Sequence, residues 1–250
     1  MRVAARGQTD VGQKRDHNED SFLVDEGLAL YVVADGMGGH AGGGTASRIA
    51  VETIQARLRL AHGSDPAAFG AAPLEESPLR EVLRGAVEDA CLSIYRAAQG
   101  DPSLAGMGTT VTAAVLAGPN AFVAHVGDSR CYLARHQRIY QVSEDHSLVN
   151  EQLKAGAITA DEARHSRFKN IITRSVGFEA DVAVDMVGVE VEPGDRLVLC
   201  CDGLTNLVDD QEILDVLGSA SLDDAPGRLI DLANERGGDD NITVIVVHVE

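Results

Sequence analysis

The chain has 250 residues, of which 44% are hydrophobic and 24% are charged, and its formal net charge at pH 7 is −18. This length and composition predict one large folded domain, or two small ones, with a buried core, and they exclude a disordered tail. The negative charge argues against nucleic acid or an anionic membrane as the main partner, because either would repel the average surface.

The beginning of the chain, residues 1–6, lacks the apolar core of a signal peptide. No run of residues approaches the ~18 apolar positions that a membrane span needs. The cysteines show no C-x-x-C spacing and are interpreted as buried, reduced thiols, which indicates a reducing compartment; they are Cys91, Cys131, Cys200 and Cys201. We therefore expect a cytoplasmic protein, or a cytoplasmic domain of a longer one.

The first half of the chain predicts strands and then two helices. Residues 7–20 are polar and rich in turn formers, after which the chain becomes apolar and an apolar run at 31–34 predicts a buried strand. Apolar residues recur at helical spacing through 46–61 and again through 79–94. Between these helices, residues 62–77 contain Gly, Pro and Ser and predict a surface loop. Two helices in succession disfavour a regular β-α-β repeat.

The second half of the chain is dominated by short β-rich runs. They are predicted at 109–116, 121–126, 130–134, 139–142, 182–191, 196–201 and 242–249. The sequence Gly118-Pro119-Asn120 predicts a hairpin turn, and short connections imply antiparallel pairing. Residues 145–180 interrupt the pattern with polar, helix-leaning sequence that includes a predicted capping box at Thr159-x-x-Glu162. With two further helices near 210–217 and 224–236, the fold class is α+β.

Acidic residues stand where three of these strands begin or end. Asp35 comes directly after a buried apolar run, Asp202 comes after another, and Asp240 lies just before the last strand. Each acid is next to a glycine or a turn, where the backbone can approach a ligand closely. Three carboxylates at strand ends therefore predict a site for one or two hard cations.

Two further polar stretches are weak signals when they are taken alone. Arg15 lies just ahead of the adjacent acids Glu19 and Asp20. An arginine binds a tetrahedral oxyanion with two parallel hydrogen bonds, but a surface ion pair is the simpler interpretation of this stretch. The segment Gly127-Asp128-Ser129-Arg130 would, without context, be a hairpin turn.

Taken together and in order, the motifs resemble one family throughout. They are Arg15-x-x-x-Glu19-Asp20, Asp35-Gly36-Met37-Gly38-Gly39, Gly108-Thr109-Thr110, Gly127-Asp128-Ser129-Arg130, Asp202-Gly203 and Asp240-Asn241. On these motifs the chain is identified as a metal-dependent serine/threonine protein phosphatase of the type-2C, or PPM, family in its compact bacterial form, over residues 7–249. The resemblance implies a four-layer α-β-β-α sandwich, with two antiparallel sheets flanked by helix pairs. It also implies a single catalytic domain over 1–250, with a flap at about 145–180.

The same resemblance implies a centre of two Mn²⁺ or Mg²⁺ ions, with a third ion as a further option. The expected ligands are Asp35 (bridging both ions), the Gly36 carbonyl, Asp202 and Asp240 directly, Glu19 and Asp20 mostly through water, and Asp128 at the third ion. Asp35 would orient the attacking water and Arg15 would clamp the substrate phosphate. Carboxylate and carbonyl oxygens suit hard Mg²⁺ or Mn²⁺, whereas zinc usually recruits His or Cys.

The general acid for the leaving group is left open. Many eukaryotic relatives carry a histidine two residues after the bridging acid, where this chain has Met37, which cannot donate a proton. A metal-bound water and His40 are the candidates, and loop packing is the alternative role of His40.

The flap offers charged residues whose roles stay open between function and solvation. Asp161 and Glu162 could contact a third ion, and substrate contacts are available to Arg164, Arg167 and Lys169. His146, in Asp145-His146-Ser147, is interpreted as a structural histidine that positions the flap. Outside the flap, Thr109 and Thr110 are interpreted as scaffold, and Asp239 as a solvated turn acid.

The expected reaction is hydrolysis of phosphoserine and phosphothreonine on proteins by a water that two metal ions activate, opposing a bacterial eukaryotic-like kinase. The expected partners are phosphorylated proteins and the kinase, and neither nucleic acid nor a membrane; the chain is expected to be a monomer. A cysteine phosphatase is disfavoured, because Cys200 and Cys201 lie in an apolar strand without a phosphate-binding loop. The alternatives are an inactive docking module and an enzyme for small phosphorylated molecules or one anti-anti-sigma-type partner.

Overall fold

The structure is a computed structural model, and it describes residues 1–38, 42–164 and 166–250, without the side chain of residue 164. The strands are β1 (Val3–Asp10), β2 (Ser21–Asp25), β3 (Leu30–Ala34), β4 (Gly36–Met37), β5 (Gly108–Thr109), β6 (Val111–Ala117), β7 (Asn120–Val126), β8 (Arg130–Arg135), β9 (Arg138–Gln141), β10 (Asp185–Glu190), β11 (Arg196–Cys200) and β12 (Ile242–Val249). The helices are α1 (Gly42–Ser64), α2 (Pro78–Gly100), α3 (Leu148–Lys154), α4 (Ala160–Arg164), α5 (Asp202–Thr205), α6 (Asp210–Ser219) and α7 (Ala225–Glu235).

The strands form two five-stranded antiparallel sheets, in the orders β1-β12-β11-β8-β9 and β10-β7-β6-β3-β2. A short ribbon of β4 and β5 stands apart from them. One apolar core lies between the two sheets. A second core lies between α1, α2 and one sheet, and a third lies between α6, α7 and the other. The predicted four-layer α-β-β-α sandwich is therefore confirmed.

The central strands are buried on both faces, which explains why they are continuous apolar runs. In β3, Leu30, Val32 and Ala34 face the helices α1 and α2, whereas Tyr31 and Val33 face the core between the sheets. Side chains alternate between the two faces of a strand, so a strand covered on both sides needs apolar residues at every position.

The register brings one set of strand ends together. In the sheet that contains β2, the start of β2 pairs with the end of β3, and the end of β3 pairs with the start of β6. The start of β6 in turn pairs with the end of β7. In the other sheet, the end of β11 lies beside the starts of β12 and β8. The residues just outside these ends are positions 20, 35, 128, 202 and 240. They therefore meet at one end of the sandwich.

Three local predictions need correction. The strand β1 (Val3–Asp10) was not predicted, because it is an edge strand in which only Ala5 is buried, and its polar end resembles a turn. The loop expected at 62–77 is partly helical, since α1 extends to Ser64 and a 3₁₀ helix at Pro66–Phe69 is capped by Asp65. The strand expected at 182–191 begins only at Asp185. Within the described ranges, no helix is both long and apolar enough to cross a bilayer.

Candidate metal centre

Six acidic side chains converge at this end of the sandwich and are called here the acid cluster: Glu19, Asp20, Asp35, Asp128, Asp202 and Asp240. The structure brings together the six acids that the family motifs supply as candidate ligands. Among the described residues, one oxygen of Asp20, one oxygen of Asp35 and the Cys201 sulfur lie within 4.8 Å of one another. Asp202, the next residue, contacts Asp35 through its carboxyl group.

The Cys201 thiol lines the cluster as a neutral, hydrogen-bonded group. Its Sγ donates to the Asn241 carbonyl at 3.3 Å and accepts from the Thr243 amide at 3.1 Å. Burial raises the pKa of the Cys201 thiol well above its ordinary value. Since the thiolate is the form that binds metals and attacks electrophiles, the carboxylates remain the candidate ligands.

Threonines hold Asp35 in position through its backbone. The Asp35 amide donates to Thr110 Oγ1 at 3.0 Å, and its carbonyl accepts from Thr109 Oγ1 and from the Thr110 amide, each at 2.8 Å. Thr110 Oγ1 is also 2.7 Å from the Ser129 hydroxyl. The interpretation of both threonines as scaffold is confirmed, and the carboxylate of Asp35 is left to face the cluster.

Crowding of buried acids raises their pKa values. Burial raises the pKa of Asp35 well above its ordinary range, and the charges of Asp20 and Asp202 raise it further. Burial likewise raises the pKa of Asp20 to about 7 and that of Asp128 to about 8, with the charge of Asp202 adding to both. Burial and the charge of Asp240 raise the pKa of Asp202. Among the described residues, Arg15 pairs with Asp240 and the charge of Lys169 acts on Asp202, and the pKa values of the buried acids stay raised in spite of both.

Two buried oxygens of the acid cluster lack a donor among the described residues, namely Glu19 Oε1 and Asp20 Oδ1. The other oxygen of Asp20 accepts from Thr243 Oγ1 at 2.6 Å, and the single proton of the nearby Cys201 thiol goes to the Asn241 carbonyl. A buried acceptor without a donor is costly unless another positive group satisfies it. The buried oxygens without a donor both belong to carboxylates, so the cluster fits one or more hard divalent cations.

Gly36 completes this environment because no side chain fits there. A Cβ at position 36 would lie 2.2 Å from the Gly43 carbonyl oxygen and 2.5 Å from that of Glu19. This close approach holds Gly43, in the first turn of α1, and Glu19 next to Gly36, just after the end of β3. A carbonyl at this point is one of the predicted oxygen ligands, and its role as a ligand stays a prediction.

Arg15 lies at the open side of the acid cluster. Its Nη2 donates to Asp240 Oδ2 at 2.7 Å, and 54% of the Arg15 side chain is exposed. This hydrogen bond, followed by the charge of Asp240, raises the pKa of Arg15. The guanidinium is therefore charged, near the acids and accessible from solvent, as a phosphate-binding group must be.

Asp128 is buried, with 8% of its surface exposed. Its neighbour Arg130 binds Asp145 with two nitrogens, at 2.9 and 2.6 Å, and so joins the turn to the start of the flap. The segment 127–130 is thus more than a surface hairpin, because it links the acid cluster to residues 145–180. Whether Asp128 contacts a third ion stays a prediction.

The root of the flap is fixed by His146, and the interpretation of this residue as structural is confirmed. Its Nδ1 accepts from the Gly127 amide at 3.0 Å, its own amide donates to the Gly127 carbonyl at 2.7 Å, and its Nε2 is 3.1 Å from Asp185 Oδ2. Arg174 donates to Asp185 Oδ1 at 2.6 Å from the other end of the flap. Burial lowers the pKa of His146.

Other flap predictions have mixed outcomes. The capping box is confirmed, because the Thr159 amide donates to Glu162 and the Glu162 amide donates to Thr159 Oγ1. Glu162 is thereby engaged in a helix cap. Lys169 is partly buried, and its charge is near enough to Asp202 to lower the pKa of that carboxyl. The predictions for His40 and for the Arg164 side chain lie outside the described residues.

Two functional positions received no role from the sequence. Thr243 donates to Asp20, and the Asn241 side chain bonds to the loop that carries Glu19. Asn241 belongs to the motif Asp240-Asn241, which the sequence analysis singles out. A single sequence does not show, however, which backbone groups its side-chain amide binds. Asp239, by contrast, is exposed in its turn, as expected.

Comparisons with known proteins agree with this geometry. A family model described as Protein phosphatase 2C matches residues 8–226. The chain is 39% identical over 247 residues to the serine/threonine phosphatase stp of Listeria welshimeri, which covers 97% of this chain and 94% of that protein. It is similar to the crystal structure of the serine/threonine phosphatase PstP/Ppp of Mycobacterium tuberculosis, with 33% identity, a TM-score of 0.89 and full coverage of both chains. A structure of the PstP catalytic domain in complex with two manganese ions has 34% identity, a TM-score of 0.84 and 99% coverage of both chains.

Proposed function

Because the chain belongs to the protein phosphatase 2C family and is a metal-dependent protein serine/threonine phosphatase, we propose that it hydrolyses phosphoserine and phosphothreonine on proteins with a water activated at the acid cluster. The observation that carries this proposal is the convergence of six acids at one end of the sandwich, with buried oxygens of Glu19 and Asp20 left without a donor. Two divalent cations, when bound, would lower the pKa of a water and neutralise charge on the phosphate.

We assign the direct cation contacts to the carboxylates of Asp35, Asp202 and Asp240 and to the Gly36 carbonyl. Glu19 and Asp20 would contribute mostly through water, and Asp128 would serve a third ion. The ions are taken to be Mn²⁺ or Mg²⁺, since every donor in the set is a hard oxygen. The manganese-containing relative supports the choice of metal. An oxygen of Asp35 lies within 4.8 Å of an oxygen of Asp20, and the Asp35 carboxyl is hydrogen-bonded to that of Asp202. This central position supports giving Asp35 the orientation of the attacking water.

Arg15 would hold the substrate phosphate. Its guanidinium is charged and half-exposed beside Asp240, so it can receive a phosphate from solvent without losing its place next to the acid cluster. A phosphate monoester carries two negative charges that repel an incoming nucleophile. Positive groups placed around those charges lower the barrier to attack.

The proton for the departing alkoxide has no protein donor assigned. Met37 occupies the position where some relatives carry a histidine, and it pairs with Gly108 in the β4-β5 ribbon. The thioether of methionine cannot donate a proton. Water at the acid cluster therefore remains the candidate that the described residues support.

The biological setting follows from the chemistry of the substrate. A phosphoserine or phosphothreonine on a protein must be supplied by a protein kinase, so we place the chain opposite a serine/threonine kinase in the cytoplasm. The reduced state of the buried cysteines supports that compartment. We also propose that residues 1–250 act as one catalytic domain, with the flap at 145–180, and as a monomer.

The test is phosphate release from a phosphothreonine peptide with Mn²⁺, with EDTA, and with the Asp35→Asn variant. We expect release that needs Mn²⁺ and falls by at least about a thousandfold in the variant. Retained Mn²⁺ binding without release from any peptide would favour a small phosphorylated molecule or a single dedicated partner. No release and no Mn²⁺ binding would sink the catalytic proposal in favour of a docking module.

A further inference from the structure

Asn241 is a buried amide whose side chain makes three hydrogen bonds to one loop. Only 6% of the residue is exposed. Its Oδ1 accepts from the Glu19 amide at 2.8 Å, and its Nδ2 donates to the carbonyls of Val11 at 2.9 Å and His17 at 3.0 Å. The side chain thus uses one acceptor and both donor hydrogens.

The loop that receives these bonds, residues 11–20, contains neither a helix nor a strand. It nevertheless carries three residues of the proposed site, Arg15, Glu19 and Asp20. Its other bonds to the rest of the chain are also individual ones. The Gln13 amide donates to the Gly238 carbonyl at 2.7 Å, the Asn18 side chain donates to Thr9 at 2.8 Å, and the Ser47 hydroxyl donates to the Glu19 carbonyl at 2.6 Å. The bonds from Arg15 to Asp240 and from Thr243 to Asp20 add to these. A loop without a regular ladder depends on such individual bonds for its position.

The backbone of Asn241 is connected to the other side of the acid cluster. Its amide donates to Asp240 Oδ1 at 2.9 Å, and its carbonyl accepts from the Cys201 thiol at 3.3 Å. The backbone at Asn241 also lies very close to α5, since a Cβ on Gly203 would be 1.9 Å from the Asn241 carbonyl oxygen. Asn241 is therefore in contact with three of the acid-bearing segments: the 11–20 loop, the end of β11 and the start of β12.

We propose that Asn241 is the positioning residue that sets the spacing between the loop carrying Arg15, Glu19 and Asp20 and the acids at the strand ends, Asp202 and Asp240. It acts through backbone groups and does not touch the substrate. The inference rests on the proposed function, because that spacing serves cation and phosphate binding. Only an amide of this length offers one acceptor and two donors; aspartate lacks the donors, and glutamine is longer by one carbon.

The experiment compares Asn241→Ala with a matched control, Asn120→Ala. Asn120 is also a buried asparagine, 5% exposed, and donates to the Ala72 carbonyl, but it lies at the start of β7, at the opposite end of that strand from Asp128. Mn²⁺ affinity is measured by calorimetry, and amide exchange is measured in the absence of metal. In Asn241→Ala we expect Mn²⁺ affinity to fall at least about tenfold and the Glu19 amide to exchange at least about tenfold faster. The amides of β3 should be unchanged, and Asn120→Ala should keep its Mn²⁺ affinity.

A second variant keeps the test decisive if Asn241→Ala fails to fold. Asn241→Asp retains the acceptor for the Glu19 amide but loses both donors, so we expect Glu19 to stay protected while amides at 11–17 exchange faster. Wild-type exchange in the 11–20 loop of either folded variant would overturn the proposal, as would an Mn²⁺ affinity of Asn241→Ala within twofold of wild type. A wild-type chain that binds Mn²⁺ but releases no phosphate would refute the proposed function alone, because amide exchange still decides the role of Asn241.

Discussion

The acid cluster and the flap are neighbours that are held in place by different kinds of contact. Except for Glu19, which the 11–20 loop carries, the acids stand next to the ends of strands that are paired residue by residue, so the register of the two sheets determines their positions. The flap contains two helices of seven and five residues, and among its described residues Leu153, Phe168 and Ile171 are exposed. It is attached mainly at its two ends.

We propose that the two regions have different roles. The acid cluster would carry out the chemistry, which requires the fixed distances that paired strands provide, and the flap would select among protein substrates, for which a segment with fewer contacts is sufficient. Changes in the acid cluster should therefore affect all substrates equally. Changes at the root of the flap should affect large substrates more than small ones.

The largest effect is expected for Asp240→Asn, for which the adjacent Asp239→Asn is the control. Asp240 is a proposed ligand and pairs with Arg15, whereas Asp239 is exposed in the turn. We expect kcat/KM to fall on the order of a thousandfold for Asp240→Asn. The loss should be the same for a phosphopeptide and for p-nitrophenyl phosphate. If Asp239→Asn were as damaging as its neighbour, the cluster would be assigned wrongly.

A smaller loss is expected at Arg15. Replacement by alanine should lower kcat/KM about a hundredfold and replacement by lysine about tenfold, because lysine keeps the charge without the two-pronged geometry. Arg6, which is exposed and pairs with Asp223, provides the control variant Arg6→Lys. Steady-state kinetics on a phosphothreonine peptide measures both changes. Equal activity of Arg15→Lys and wild type would argue against a bidentate phosphate clamp.

The flap should behave differently. Arg174→Ala removes a hydrogen bond to Asp185 and one to the Ala183 carbonyl at the flap root. We expect kcat/KM for a phosphoprotein to fall about tenfold and that for p-nitrophenyl phosphate to change less than twofold. The surface variant Arg84→Ala, which among the described residues breaks a pair with Glu81, should change neither. Equal losses on both substrates would remove the distinction between flap and acid cluster.

The smallest expected effect is on stability and depends on pH. The raised pKa values of Asp20, about 7, and Asp128, about 8, mean that the metal-free folded chain binds more protons than the unfolded chain above pH ~4. The contribution of this proton binding to the free energy of unfolding is fully present below pH ~4, and it is lost as pH rises through 7 to 8. The melting temperature of the EDTA-treated chain should therefore fall by on the order of 10 °C or more between pH 5 and 8.

Added Mn²⁺ should reduce that fall, since a cation replaces the protons on the acids. Asp35→Asn should also reduce it, because one of the repelling charges is gone. Thermal unfolding at several pH values measures all three. A melting temperature of the EDTA-treated chain that rises over this interval would contradict the crowding of charged acids at this end of the sandwich.

The sequence predicted the sandwich and the acid cluster because both depend on local patterns. Apolar runs buried on both faces are visible without a structure, and so is an acid that ends such a run, as at Asp35 and Asp202. The edge strand β1 was missed because an edge strand buried at one position carries little apolar signal. Its pairing with β12 is a property of the folded chain.

The interactions that position the acids could not be predicted for a related reason. The amide of Asn241 reaches the backbone of residues more than 200 positions away, and Thr243 reaches Asp20 across the same separation. Such contacts follow from the register of the sheets and not from neighbouring sequence. For the same reason, the hydrogen bond from Arg15 to Asp240 was not foreseen, although both residues were singled out.

The most direct test of the metal centre is a calorimetric titration of the wild-type chain and of Asp35→Asn with Mn²⁺ at pH 7. We expect the wild-type chain to bind two ions tightly, and the variant to lose at least one of them while keeping its fold by circular dichroism. A wild-type chain that binds no Mn²⁺, or an Asp35→Asn variant that binds it as well as wild type, would contradict the claim that this end of the sandwich is a metal centre.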